Sequence, residues 1–208
     1  AVERTMDGAT LIRRLLDRGT ARQVLDATRR HRHAAALIFD RDFDRQVVYE
    51  TMDWDHPGRQ RYWSRNHSHI AQSVPLEDAL IEDPIQVMYN GGVEDMRDLF
   101  GWLRAEVGGC SIQMTEYVNR DFSLVDVTSV DATKGRALAW RAEQLGLTRD
   151  EVMAVGDNFN DLEMLEYAGR PVVMGNAVDG LRSRGWHVTG DQNEAGLAQA
   201  IERFVLSR

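Results

Sequence analysis

The 208-residue chain has a single cysteine, Cys110, and that scarcity excludes a good deal. No intramolecular disulfide can form, and a cysteine-based zinc site has no ligand set to draw on. A reducing, cytoplasmic setting is the expectation. Long apolar runs are also missing. No stretch approaches the roughly 20 residues that cross a bilayer, and the start carries no secretory apolar segment, so no membrane association is expected. An excess of positive charge is absent too: 25 Lys and Arg against 33 Asp and Glu leave a net charge of −8. That balance argues against a general nucleic-acid binder and points to no particular substrate. The one basic cluster, Arg29, Arg30 and Arg32 with His31 and His33, reads as the solvated end of a helix favoured by its dipole. His67 and His69 lack a third ligand in a convincing pattern and read as polar surface groups. There are no internal repeats and no low-complexity segment. Hydrophobic content of 43% and charged content of 28% are ordinary globular values, and the length suffices for one or two domains.

The most informative stretch is Gly156 to Leu165, GDNFNDLEML. The apolar run Val152-Met153-Ala154-Val155 before it is of strand type, and Leu162, Met164 and Leu165 begin a helical pattern. Asp157 therefore falls where a strand ends, and Asp161 in or beside a first helical turn. Two carboxylates so placed, with Asn158 and Asn160 between them, suit a small hard cation that takes oxygen ligands and keeps some of its waters. A helix N-terminus alongside favours an anion, so a metal and a phosphate can share the site. A loop with an Asp/Asn helix cap is the plainer reading of the same residues.

The complete string resembles the metal motif of the haloacid dehalogenase superfamily, in its Cof-type phosphatase branch. The resemblance implies that Asp157 and Asp161 hold Mg2+. Ala132-Thr133-Lys134-Gly135, opening a helix from Arg136 to Leu145, is similar to the family's lysine motif, which gives Lys134 the part of steadying the nucleophile and the transferred phosphoryl group. Val172 to Ala177 resembles the next strand with its GNA turn, and Thr189 to Ala198 the closing segment before the last helix. Asn160 and Asn176 are the orienting groups expected to bind substrate phosphate or a carboxylate.

Two family motifs do not occur in their expected form: the N-terminal DxDx(T/V) that carries the nucleophile, and the Ser/Thr motif that binds the phosphoryl group. Ala1-Val2-Glu3-Arg4 resembles the point just past the second of these, so the resemblance implies that the first crossover units of the catalytic domain lie outside this sequence. Asp40, at the end of the apolar run in AAALIFDRDFD, is the one candidate nucleophile within it. Phe43 and Asp44 stand where the motif has Gly and Thr or Val, and hairpin chemistry around Asp42 and Asp44 is the simpler reading. Asp53-x-Asp55 follows no apolar strand.

The pattern divides the chain in two. Residues 1–127 read as a mostly α+β cap, with helices on one side of an antiparallel sheet. Its helices are Thr20 to Arg32 and Val93 to Val107, and Ala34 to Phe39 pairs with Gln46 to Tyr49. Pro84 to Tyr89, Ser111 to Thr115 and Phe122 to Val127 supply the remaining strands. Residues 128–208 alternate helix and strand as a parallel, doubly wound sheet does, giving an α/β fold with a haloacid dehalogenase-like, Rossmann-type sheet. Ligands of such sheets bind beyond the carboxyl ends of the strands, where Asp157 and Asn176 belong. Some 80 residues make only half of such a domain, leaving a sheet edge for the missing N-terminal segment or a second chain to cover.

The function implied by the resemblance is Mg2+-dependent hydrolysis of a small phosphorylated metabolite, such as a sugar phosphate, through an aspartyl-phosphate. This chain by itself is expected to be inactive for want of the nucleophile. A non-catalytic metal-binding or interaction module of the same descent is the alternative. The stretch Asp53 to His69, aromatic and basic, is the expected substrate-facing part of the cap.

Overall fold

A computed structural model of the chain describes residues 2–42 and 44–207, so Phe43 lies outside the described residues. The chain divides into two compact units, Ala1–Ala132 and Thr133–Arg208. The division falls five residues beyond the expected position because the last strand of the first unit stays paired through Ser129.

The first unit opens with an antiparallel pair, β1 (Val2–Arg4) and β2 (Thr10–Arg13). Helix α1 (Arg18–Ala27) follows, capped by the Asp17 carboxylate, which accepts from Thr20 N at 2.9 Å. It is shorter than the sequence pattern suggests, because the chain tightens into a 3-10 turn over Arg29–Ala34. A six-stranded sheet is then assembled from β3 (Ala35–Ile38), β4 (Val47–Tyr49), β5 (Ile70–Gln72), β6 (Gln86–Gly91), β7 (Cys110–Tyr117) and β8 (Phe122–Ser129) in the order β5-β4-β3-β6-β8-β7. All neighbours are antiparallel except β4 and β5, which run parallel.

Side chains alternate across this sheet. Leu37, Val48, Val87, Tyr89, Val125 and Val127 point to one face, where they form a core with Val24 and Leu25 of α1 and with Met96, Leu99 and Leu103 of α3 (Val93–Glu106). The other face carries Ile38, Val47, Met88, Asn90, Leu124 and Asp126. It is not bare, as helices on one side only would leave it. Helix α2 (Pro57–Asn66) lies against it, docked at Phe122 and Asn90. His67–His69 form a 3-10 turn after α2 and are not part of a strand.

The second unit alternates as expected. It runs α4 (Lys134–Gln144), β9 (Met153–Gly156), α5 (Leu162–Tyr167), β10 (Arg170–Val173), α6 (Asp179–Arg182), β11 (His187–Val188) and α7 (Gly196–Ile201). The three strands are parallel, in the order β11-β10-β9. Ala142, Val152, Ala154, Leu165, Val173 and Leu181 form its core. Among the described residues no helix is long and apolar enough to cross a membrane.

Candidate active site

Strand β9 pairs with β10 up to Gly156 and Val173, so Asp157 emerges just past the carboxyl end of the sheet. The chain then turns back on itself. A Cβ at position 156 would lie 2.5 Å from Asp161 Cβ, so only glycine lets the 3-10 turn Phe159–Asp161 close onto the strand end. The reward for that closure is a set of hydrogen bonds to one carboxylate. Asp161 Oδ2 accepts from the backbone N–H of Asp157 at 2.9 Å and of Asn158 at 3.3 Å, while its Oδ1 accepts from Lys134 Nζ at 2.5 Å. Asp161 is 5% exposed, a depth at which a charge needs such partners.

Lys134 reaches Asp161 because α4 begins beside α5. Thr133 caps α4, its Oγ1 accepting from Arg136 N at 3.2 Å. Gly135 sits so close to Glu163 that a Cβ there would come within 2.6 Å of Glu163 Cβ. From the other side, the turn after β10 brings Asn176 to Asp157, with Asn176 Nδ2 donating to Asp157 Oδ2 at 3.3 Å. Asn176 Oδ1 in turn accepts from Gln192 N at 3.0 Å, and Val178 N donates to the Asp157 carbonyl at 3.0 Å. A cavity of about 460 Å³ lined by Lys134, Asp157, Asp161, Met174 and Gln192 lies over this group.

Four of the five residues marked from sequence thus come together: Lys134, Asp157, Asp161 and Asn176. Asn160 lies half-buried in the same turn and, among the described residues, no hydrogen bond joins it to the other four. Gln192 went unmarked, although it belongs to the segment Thr189 to Ala198 that drew attention as a whole. Its contribution is a backbone N–H, which carries no side-chain signal. Asp40 lies in the first unit at the end of β3, its carboxylate held by Arg4 at 2.6 Å and Arg13 at 2.9 Å. Asp53 Oδ1 accepts from Asp55 N at 3.0 Å, a local turn.

The two carboxylates and one ammonium leave one negative charge in excess, beside an amide that hydrogen-bonds without adding charge. Such a set suits a hard cation with oxygen ligands. Of the two carboxylates, Asp157 is the more open, whereas both oxygens of Asp161 are already engaged by the protein. No group of three or more His, Cys, Asp and Glu side chains suited to a metal occurs among the described residues. The remaining ligands of a cation here would be waters or groups beyond this set.

Residues 2–201 match the model of a family described as haloacid dehalogenase-like hydrolase. A putative phosphatase of Haemophilus influenzae is 32% identical over 128 residues, covering 62% of this chain and 47% of that protein. The pyridoxal phosphate phosphatase YbhA of Escherichia coli is 43% identical over 82 residues, 39% of this chain and 30% of its own length. The 5-amino-6-(5-phospho-D-ribitylamino)uracil phosphatase YcsE of Bacillus subtilis is 38% identical over 91 residues, 44% of this chain and 36% of its own. The matched segments thus span less than half the length of these curated relatives. Among solved structures, a haloacid dehalogenase-like hydrolase from B. subtilis superposes with a TM-score of 0.78 at 20% identity, over 99% of this chain and 77% of that one. A subclass IIB sugar phosphatase, BT4131, gives 0.75 at 18% identity, over 96% and 71%. With the parallel sheet, the GDNFND turn and the lysine that meets it, these likenesses are sufficient: the chain belongs to the haloacid dehalogenase-like hydrolases.

Proposed function

We propose that this chain contributes the substrate-selecting cap and the cation- and phosphate-binding half of a phosphatase acting on small phosphorylated metabolites. The observation that carries the reading is the convergence of Lys134, Asp157, Asp161 and Asn176 at the carboxyl ends of β9 and β10. Asp157, the more open of the two carboxylates, would hold Mg2+. Asp161 supports the site from behind, fixing the loop through two backbone N–H groups and aiming Lys134. Mg2+, when bound, supplies charge neutralisation at the phosphoryl oxygens. Lys134 offers a point charge to the same oxygens, and Asn176 holds the Asp157 carboxylate in register. The nucleophile of the aspartyl-phosphate route is a carboxylate outside this set. Asp40 is a poor choice for it, since two arginines already hold its oxygens. The single cysteine fits a reducing compartment, and we assign the protein to the cytoplasm on that ground.

The test is calorimetric titration of the chain with Mg2+, with turnover of sugar phosphates and other phosphomonoesters measured in parallel. Mg2+ binding that disappears in Asp157→Asn supports the reading. No Mg2+ binding to the wild-type chain sinks it. Binding without turnover by any longer natural form of the protein favours a non-catalytic module. Turnover that vanishes in Asp40→Asn moves the nucleophile to Asp40.

A further inference from the structure

The first unit contains a second cavity, of about 670 Å³, between α2 and the sheet face that α1 and α3 leave uncovered. The volume falls in the range of roughly 300–1,000 Å³ usual for small-molecule sites. Its walls are mainly apolar and aromatic: Trp54 and Tyr62 on the α2 side, Met88, Phe122 and Leu124 on the sheet. Its charged lining is of one sign. Arg59, Arg61 and Arg120 border it, and among the described residues no acidic side chain does.

Arg59 is the informative member, being only 8% exposed. Its guanidinium donates to Asn90 Oδ1 at 2.5 Å, to the Asn90 carbonyl at 2.7 Å and to the Asp53 carbonyl at 3.1 Å. All three acceptors are neutral. The Asp53 carboxylate acts on this guanidinium through space, and these acceptors leave it without a charged hydrogen-bond partner, so a neighbour carrying negative charge or electron-rich oxygen is favoured. Trp54 adds a buried indole N–H that has no acceptor among the described residues. Gln86 also lines the cavity, with its amide nitrogen donating to Asp126 Oδ1 at 2.9 Å. Hydroxyl-rich sugars require many hydrogen-bonding partners, and these walls offer few. Flat rings stack on Trp, Tyr and Phe, and a guanidinium plane stacks on them in turn.

We propose that this cavity binds a planar heteroaromatic ring with a carbonyl or oxyanion edge. The ring-binding property stands independently of the phosphatase reading above. Titration of the full chain with riboflavin and with pyridoxine, neither carrying phosphate and both in metal-free buffer, tests it through tryptophan emission and calorimetry. At least one ring should bind saturably, and Tyr62→Ala should weaken it at least fivefold with little change in melting temperature. Arg59→Met should weaken it further. Should that variant unfold, Arg61→Met and Arg120→Met take its place. Glucose should not bind, and decanoate should bind at least tenfold more weakly than the better ring. Failure of both rings, or glucose or decanoate binding as tightly as the better ring, overturns the proposal. Ring binding without Mg2+ binding would sink the phosphatase reading alone, and Mg2+ binding without ring binding would sink this inference alone.

Discussion

Asp161 and Lys134 form one ion pair whose two halves do different work. Asp161 is buried and satisfies two backbone N–H groups, while the Lys134 side chain is 49% exposed. Removing the carboxylate in Asp161→Ala orphans those donors, and a loss of about 3 kcal/mol is expected in urea unfolding. Lys134→Met leaves the buried Asp161 charge with its two backbone donors alone, so a loss of about 2 kcal/mol is expected, and phosphate affinity at the proposed site should be abolished. In the first unit, burial pushes the Asp126 carboxyl up to about 6 from 3.8. The unfolded chain gives up that proton more easily, so keeping the charge buried costs stability above about pH 6. The cost fades as pH falls and is gone below 3.8. Asp126→Asn should therefore raise stability by on the order of 2 kcal/mol at pH 7.5 and leave it unchanged near pH 4, as thermal melts at the two pH values would show. At this scale the GDNFND string was readable because its spacing alone sets both aspartates at a strand end. The division of labour between them was not, since it depends on a lysine that arrives from another helix.

Helix α4 meets α5 through Gly135, where a Cβ would lie 2.6 to 2.9 Å from Glu163 atoms, two of them backbone. Gly135→Ala cannot be absorbed by a side-chain shift. A loss of about 2 kcal/mol is expected, together with weaker Mg2+ binding at the proposed site, because the same contact carries Lys134 to Asp161. In the first unit a Cβ at Gly58 would lie 2.4 Å from the Phe122 ring, and Gly58→Ala should lift the start of α2 and enlarge the cavity beneath it. The periodic elements were legible: α3 from Met96, Leu99 and Leu103 on one face, and the βα alternation of the second unit throughout. Helix α2 was not. Its sequence, PGRQRYWSRN, shows no apolar stripe, because it packs through an arginine, a glycine and aromatic rings around a cavity. The 3-10 turn after α1 was likewise hidden, since Arg29 to His33 continue a plausible helical end.

At the scale of the whole chain, the second unit builds its parallel sheet on three strands, with β9 at one edge. Parallel sheets are ordinarily covered on both sides and paired at their centre, so an edge strand that carries the site is a template for further pairing. We predict concentration-dependent self-association of the isolated chain in sedimentation velocity, suppressed when a segment able to pair with β9 is supplied. A strictly monomeric chain at high concentration would count against this. The βα alternation of the second unit was legible in the sequence, but not which face of the other sheet α1 and α3 leave to the cavity.

The face beneath α2 has a consequence for how the protein can change. Along β3, β6 and β8, residues that hold the core alternate one by one with residues that border the cavity: Leu37 with Ile38, Val87 with Met88, Val125 with Leu124. Each strand is thus written in two interleaved registers, one for persistence and one for choice. A library randomised at Ile38, Gln86, Met88 and Leu124 should keep most of its members folded while spreading their ligand preferences. The same diversity placed at Leu37, Val87, Val125 and Val127 should yield mostly insoluble protein. Selectivity here is free to drift without the fold having to follow.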